Sequence, residues 1–585
     1  EGVATSIGHA TVSAIIDERA GSRNAIAECL TNLVWAPLEH EMDSVSLSAN
    51  WMWPCKNEGE DARLYNAVEA VSDFAIDLGI NIPTGKDSLS MKQKYPDGDV
   101  IAPGTVIISS VGHCDDITKV VEPVFTKEED NAIYYVDFSS DEFKLGGSSF
   151  AQSQNKIGVE TPDIKDSAKF KSAFNSIQAL VAKGLLTAGH DISAGGLITA
   201  LLEMCFADVN VGATIDITSL NEKDTIKAIF SENTGVLIQT VNSKDVERIL
   251  SEAKVKFVKI GTATNSDTVS LVNGEDKEEF NVPELRDVWY KTSYLLDKQQ
   301  SGEQKATERF TNYKKQQLNF TFPSHFTGKL PILEGKKPVA AVLREKGSNS
   351  EREMANALYL AGFEVKDVHM TDLVSGRETL EEAHFLAAVG GFSNSDVLGS
   401  AKGWAGSFLH NPKAKVALEK FYAREDTLSL GICNGCQLFI ELGLINTAHD
   451  KKPSMLHNDS NKHESAFTSV SVEENNSVML QTLSGSTLGV WISHGEGKFK
   501  LPYEEGKYNI VAKYGYNQYP ANPNGSDYNT AMMASDDGRH LVMMPHIERS
   551  IFQWNWANYP ADRKDETTPW LEAFENAKKW LVERM

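Results

Sequence analysis

Long apolar runs are missing from this 585-residue chain. None approaches the ~20 residues needed to span a bilayer, so no membrane-spanning helix is expected. Basic charge is also scarce. With 57 Lys and Arg against 81 Asp and Glu, the formal net charge is -24. That balance excludes a non-specific binder of nucleic acid or anionic membrane, because such partners are held by clustered cations. Cysteine is limited to six residues, Cys29, Cys55, Cys114, Cys205, Cys433 and Cys436, far apart except for the last two. No set of cysteine pairs for a metal is present, and free thiols in a reducing cytoplasm are expected. The opening Glu1-Gly-Val-Ala-Thr-Ser lacks the basic start and apolar core of a signal peptide. It also lacks an initiator Met, and Ala14-Ile-Ile-Asp17 reads as a strand almost at once. The sequence therefore reads as one entered in the middle of a longer protein.

What is present is an ordinary globular composition, 41% hydrophobic and 24% charged. At roughly 150 residues per domain the length suggests three or four domains. Short β-rich runs such as Val106-Ile-Ile-Ser109 alternate with helical patterns such as Lys169 to Lys183, the α/β signature. A shift near Val120-Val-Glu-Pro-Val124 divides a first block (1–124) from a second (125–295). From Leu296 to Phe320 the sequence is almost free of aliphatics, and 296–335 reads as a solvated linker or extended arm. A third block, 336–585, begins with Lys336-Lys-Pro. The first helix is expected over Ser22–Leu33 with Ser22 as its cap, placing Glu28 and Asn32 on one face.

The segment Leu428-Ser-Leu-Gly431-Ile-Cys433-Asn434-Gly435-Cys436-Gln437 is an apolar strand running into a helix, with Cys433 on the bend. Flanking glycines permit a sharp turn, and the positive helix end favours the thiolate form of a nucleophile. A thiolate needs a base and a group to orient it. The strand His540-Leu-Val-Met-Met-Pro545 delivers His546, and Glu548, two residues on, falls on the same side of an extended chain. Backbone amides for an oxyanion hole are offered by Asn434 and by the glycine pair of Val389-Gly390-Gly391-Phe392. Read alone, Cys433 is better explained as a small core residue. Three such elements on strand ends favour the catalytic reading, with Cys436 facing the core.

The motifs GICNGCQ, VGGFSNSDVLG, WISHGEGKF and MPHIER together resemble the glutaminase domain of class I, triad-type glutamine amidotransferases. With SLSANWMWP, GEDARLYNAVEAV, PTGKDSLSM, HDISAGGL and YPANPNGS, almost the whole chain resembles the C-terminal part of the single-chain phosphoribosylformylglycinamidine synthase family of purine biosynthesis. The resemblance implies two α/β and α+β synthetase-type domains followed by a flavodoxin-like glutaminase. It implies glutamine hydrolysis at Cys433, with ammonia passed to a synthetase that uses ATP and Mg2+ to convert formylglycinamide ribonucleotide to its amidine. It further implies Glu28, Asn32 and Asp191 as Mg2+ ligands, Ser193 as a nucleotide contact, and Gln437, Ser493 and His494 at the glutamine site. Lys86 is a candidate phosphate or nucleotide contact. The other synthetase half and one more metal ligand are expected upstream of Glu1. Departures are the glycine loop, which reads GGFSNSD where relatives often carry Tyr-Gly before the Asp, and Ile547, where Pro is usual.

Each of these residues also has a plainer reading. Glu28 and Asn32 suit a polar helix face, Asp191 a helix cap, Lys86 a solvated turn and His494 a core or loop histidine. A synthetase for CTP or GMP is the rival acceptor, but the P-loop-like nucleotide motifs that such enzymes use are not found. A third reading makes the chain a nucleotide-binding module whose glutaminase is silent until a partner half docks.

Overall fold

The computed structural model describes residues 2–315, 318–560 and 562–585, which divide into two units between Trp289 and Tyr290. In the first unit, strands β1 (Gly2–His9), β2 (Ser46–Met52), β3 (Asn81–Ser88) and β4 (Thr105–Cys114) form a sheet in the order β1-β4-β2-β3. Only β2 and β3 run parallel.

The stretch Ala14–Asp17, expected as a strand, belongs instead to a short helix α1 (Thr11–Ile16) that turns into α2 (Glu18–Leu33). The Ile15-Ile16 pair suits a strand, but Asp17 accepts the amides of Arg19 and Ala20, each at 2.9 Å, and starts a helix there. Gly21 allows the two helices to touch, since a Cβ on it would lie 2.5 Å from the Ala14 backbone. Ser22 is therefore not the cap. It is buried one turn inside α2.

A second sheet follows, made of β5 (Ala132–Asp137), β6 (Ala188–Ile192), β7 (Gly212–Asp216), β8 (Gly235–Thr240), β9 (Phe257–Thr264), β10 (Thr268–Asn273) and β11 (Asp276–Asn281). Their order is β11-β10-β7-β9-β5-β8-β6. Every residue of β5 and β8 is buried, as befits strands covered on both faces. Helix α3 (Ser167–Ala182), capped by Asp166, begins two residues before the expected Lys169. Helix α4 (Gly196–Phe206) follows the HDISAGG turn.

The aliphatic-poor segment expected as an arm is helical as far as Thr311. Helix α5 (Val282–Thr311) is broken only at Gly302, where φ is 79° and ψ 160°. Composition misled because this helix packs through rings and ion pairs rather than aliphatics. Tyr294 stacks on Phe310 at 4.7 Å, and the Arg309 guanidinium meets the Asp297 carboxylate at 2.9 Å. Gln316 and Gln317, at the end of that segment, lie outside the described residues.

The second unit is built on nine strands: β12 (Val339–Arg344), β13 (Glu364–His369), β14 (Phe385–Ala388), β15 (Leu428–Ile432), β16 (Glu464–Val472), β17 (Thr487–His494), β18 (Asn509–Tyr514), β19 (Thr530–Ala534) and β20 (His540–Met543). The order is β13-β12-β14-β15-β20-β19-β18-β16-β17. The first five run parallel in the doubly wound, flavodoxin-like arrangement. The other four extend it antiparallel. β14 and β15 are buried throughout. Ligand sites in such sheets lie beyond the carboxyl ends of the parallel strands, where the chain leaving β14, β15 and β20 runs into Gly390, Cys433 and His546.

Candidate active site

Cys433 sits between β15 and helix α6 (Asn434–Glu441) with φ 52° and ψ -107°, a left-handed conformation that a non-glycine residue adopts only when its surroundings enforce it. Its amide donates to the Met543 carbonyl at 2.8 Å, fixing the bend against β20. Gly435 is required just beyond, because a Cβ there would lie 2.0 Å from the Ala388 carbonyl oxygen. The Cys433 thiol donates to the Ser493 carbonyl at 3.5 Å. Cys436 is fully buried in the core, as expected.

His546 donates from Nδ1 to Glu548 Oε1 at 2.7 Å, and both residues are 2% exposed. The chain does not reach Glu548 in extended form. Ile547–Arg549 is a 3-10 turn, with Ile547 buried in the core where it replaces the usual Pro. The turn brings the carboxylate back onto the ring, so the pairing holds although its expected backbone does not. Burial alone would depress His546, but the Glu548 charge, reinforced by Cys433, raises it to about 10. Its Nε2 has no hydrogen-bond partner. The ring and the Cys433 side chain converge over Gly390, where an added Cβ would meet His546 Cε1 at 2.9 Å and Cys433 Cβ at 3.4 Å.

A cavity of about 420 Å³ opens on the thiol, and Gly391, Gln437, Ser493 and His494 line it with Cys433 and His546. Asn434 does not. Its buried side chain braces the glycine loop by accepting from the Ser393 amide at 3.2 Å and donating to Gln437 Oε1 at 2.8 Å. Only its backbone amide, at the start of α6, remains for an oxyanion. The Gln437 side-chain amide likewise donates to the Glu496 carbonyl at 2.8 Å, so it braces the wall. His494 meets Asn458 Oδ1 at 3.2 Å, and burial, with the charges of His546 and His463, depresses it to about 3. It is a neutral wall residue.

Several lining residues carried no signal in the sequence reading: Asn349, Lys462, His463 and Arg549. Arg549 donates to Asn349 Oδ1 at 2.8 Å, and His463 Nε2 lies 3.0 Å from Ser493 Oγ. Arg549 follows directly on the triad and could have been named from MPHIER. The others are brought in by loops distant in sequence.

In the first unit, Glu28 and Ser193 line a separate cavity of about 290 Å³ with His9, Glu232 and Thr234. Glu28 accepts from Ser193 Oγ at 2.9 Å and from the His9 amide at 3.0 Å. Burial, aided by the charge of the nearby Asp191, raises Glu28, and burial raises Asp191. A half-buried and a buried acid, the second raising the first, suit a cation. Asn32 is exposed and donates to the Glu28 carbonyl at 3.1 Å, and Lys86 lies on exposed β3 beside Ser88. Neither lines the cavity, and Asp191 does not line it either. Among the described residues no three His, Cys, Asp or Glu side chains cluster as metal ligands. Glu28 and Asp191 carry carboxylate oxygens of the kind that Mg2+ takes.

Residues 337–581 match the CobB/CobQ-like glutamine amidotransferase domain, 1–113 the FGAR-AT PurM_N-like domain and 128–273 the AIR synthase related protein C-terminal domain. The chain is 39% identical to a probable phosphoribosylformylglycinamidine synthase, chloroplastic/mitochondrial, of Arabidopsis thaliana, over 99% of this chain and 43% of that protein. It is 37% identical to a probable phosphoribosylformylglycinamidine synthase of Caenorhabditis elegans, over 99% and 48%. It is 38% identical to the phosphoribosylformylglycinamidine synthase of Homo sapiens, over 100% and 46%. The chain thus spans less than half the length of these relatives.

Proposed function

We propose that this chain, which by sequence belongs to the phosphoribosylformylglycinamidine synthase family, hydrolyses glutamine and supplies the ammonia that converts formylglycinamide ribonucleotide to its amidine. The observation that carries this reading is the buried His546–Glu548 pair converging with Cys433 over Gly390.

The His546 imidazolium, which already holds the proton of Cys433 on Nε2, keeps Cys433 as the thiolate, and its Sγ attacks the glutamine carboxamide carbon. The negative oxygen that forms is met by the amides of Gly391 and Asn434. Collapse breaks the C–N bond, and the proton held on Nε2 passes to the departing ammonia, leaving a thioester on Cys433. Water, deprotonated by the same nitrogen, then releases glutamate. Glu548 holds the ring in one tautomer throughout. Cavity residues outside the triad shape the glutamine pocket.

The first-unit cavity takes ATP in this reading, with Ser193 as a nucleotide contact. Glu28 and Asp191 would hold Mg2+, which when bound neutralises phosphate charge. The expected role of Asn32 as a metal ligand and of Lys86 as a nucleotide contact would each need movement toward that cavity. A second synthetase half, contributed by the rest of such a protein, completes the acceptor site. A cytoplasmic location belongs to the same proposal, supported by six free thiols and by the lack, among the described residues, of any helix long and apolar enough to cross a membrane. The test is glutamate release from glutamine by the wild type and by Cys433→Ala. Release abolished in the variant supports the reading, and release retained overturns it.

A further inference from the structure

Helix α5 reaches the glutaminase cavity through a buried carboxylate. Asp297 is 6% exposed in a segment whose composition reads as solvated. Its Oδ1 accepts from Ser301 Oγ at 2.7 Å and from Lys462 Nζ at 3.3 Å, and its Oδ2 accepts from Arg309 at 2.9 Å. Arg309 lies beyond the Gly302 break, so the carboxylate pins both helical segments. Arg309 also donates to the Tyr519 hydroxyl and lies 4.6 Å over that ring. The Tyr519 hydroxyl meets the two Glu464 oxygens at 3.1 and 3.2 Å.

Lys462 and Glu464 are the two chain neighbours of His463, so the helix grips this histidine from both sides. His463 lines the cavity and is hydrogen-bonded to Ser493 Oγ, whose carbonyl in turn accepts from the Cys433 thiol. Glu464 pairs across the sheet with His494, another wall residue. This polar chain ends on the nucleophile's side of the cavity without passing through His546 or Glu548.

We infer that Asp297 is a positioning residue for the glutamine pocket, holding the Lys462–Glu464 wall in place. The inference rests on the glutaminase reading. Burial would raise the Asp297 carboxyl, but Ser301, Arg309 and Lys462 together lower it, so it stays charged at neutral pH. Without that charge the half-buried Lys462 and Arg309 lose the acid they share, Arg309 keeps Tyr519, and Lys462 turns toward water. The wall loosens while the triad keeps its own hydrogen bonds. Substrate binding therefore suffers and the chemical step does not.

The experiment compares Asp297→Asn, Lys462→Met and the double variant in the full chain, by glutamine kinetics and by amide hydrogen exchange. Each single variant is expected to raise KM for glutamine about tenfold with kcat within about threefold, and the double variant to be no worse than the worse single. Asp297→Glu is expected to restore most of the KM. Exchange is expected to quicken at His463 and Ser493 but not at Cys433 or Gly435. An unchanged KM, an equal fall in kcat and kcat/KM, or additive effects in the double variant would overturn the assignment. Should the wild type release no glutamate, the glutaminase reading falls, and exchange alone judges the clasp. Faster exchange over 462–464 in Asp297→Asn upholds it, and unchanged exchange refutes it.

Discussion

Glu548 accepts the Nδ1 proton of His546 at 2.7 Å across a single turn of 3-10 helix, with both residues almost fully buried. That contact sets the tautomer, leaves Nε2 for the thiol, and keeps a positive charge next to Cys433.

The pair gives stability a pH dependence of known sign. His546 is raised from 6.5 to about 10 by the Glu548 charge, against the effect of burial. Its contribution is therefore full below the unfolded value and is lost as the pH climbs toward about 10. Thermal midpoints of the wild type and Glu548→Gln are expected to lie far apart near pH 6 and to converge near pH 10. A gap that stays constant with pH contradicts the assignment.

Thiol chemistry separates two cysteines three residues apart. Iodoacetamide is expected to label Cys433, which lines the cavity, and to spare Cys436, which is fully buried and pushed well above the ordinary thiol range by burial. Peptide mass spectrometry with and without glutamine reads this. Glutamine should protect Cys433 alone.

Gly390→Ala places a methyl 2.9 Å from His546 Cε1. The ring must swing away from the thiol, and glutamate release is expected to fall by about a hundredfold with the fold retained, since small misplacements of reacting groups have effects of that order. Circular dichroism checks the fold. Unimpaired release would show that the ring has room to spare.

Glu28→Gln removes one of the two repelling acids beside Ser193. Binding of ATP in the presence of Mg2+ is expected to weaken by about tenfold, while ATP binding without the metal changes little. Equilibrium dialysis in the absence of glutamine measures both, and equal loss in the two conditions would assign Glu28 to the fold rather than to the cation.

The proposed triad was legible because its chemistry is written in short stretches. A strand, a glycine, a cysteine and a helix lie within GICNGCQ, and the base and its orienting acid lie within MPHIER. The GKDSLSM stretch was equally visible, yet Lys86 stands on an exposed strand away from the cavity that holds Ser193. Residue type alone does not say which surface a side chain shares.

By itself, then, the sequence determined the candidate triad and the alternation of strands and helices. These depend on local periodicity and on motifs a few residues long. The tertiary structure decided that Asn434 and Gln437 brace the pocket, that His463 joins it, and that the first part of an apparent linker is a helix anchored by Asp297. The Asp297–Lys462 contact joins residues 165 apart. Only folding brings such groups together, and burial then gives their charges an effect that neither residue's own neighbourhood in the sequence reveals.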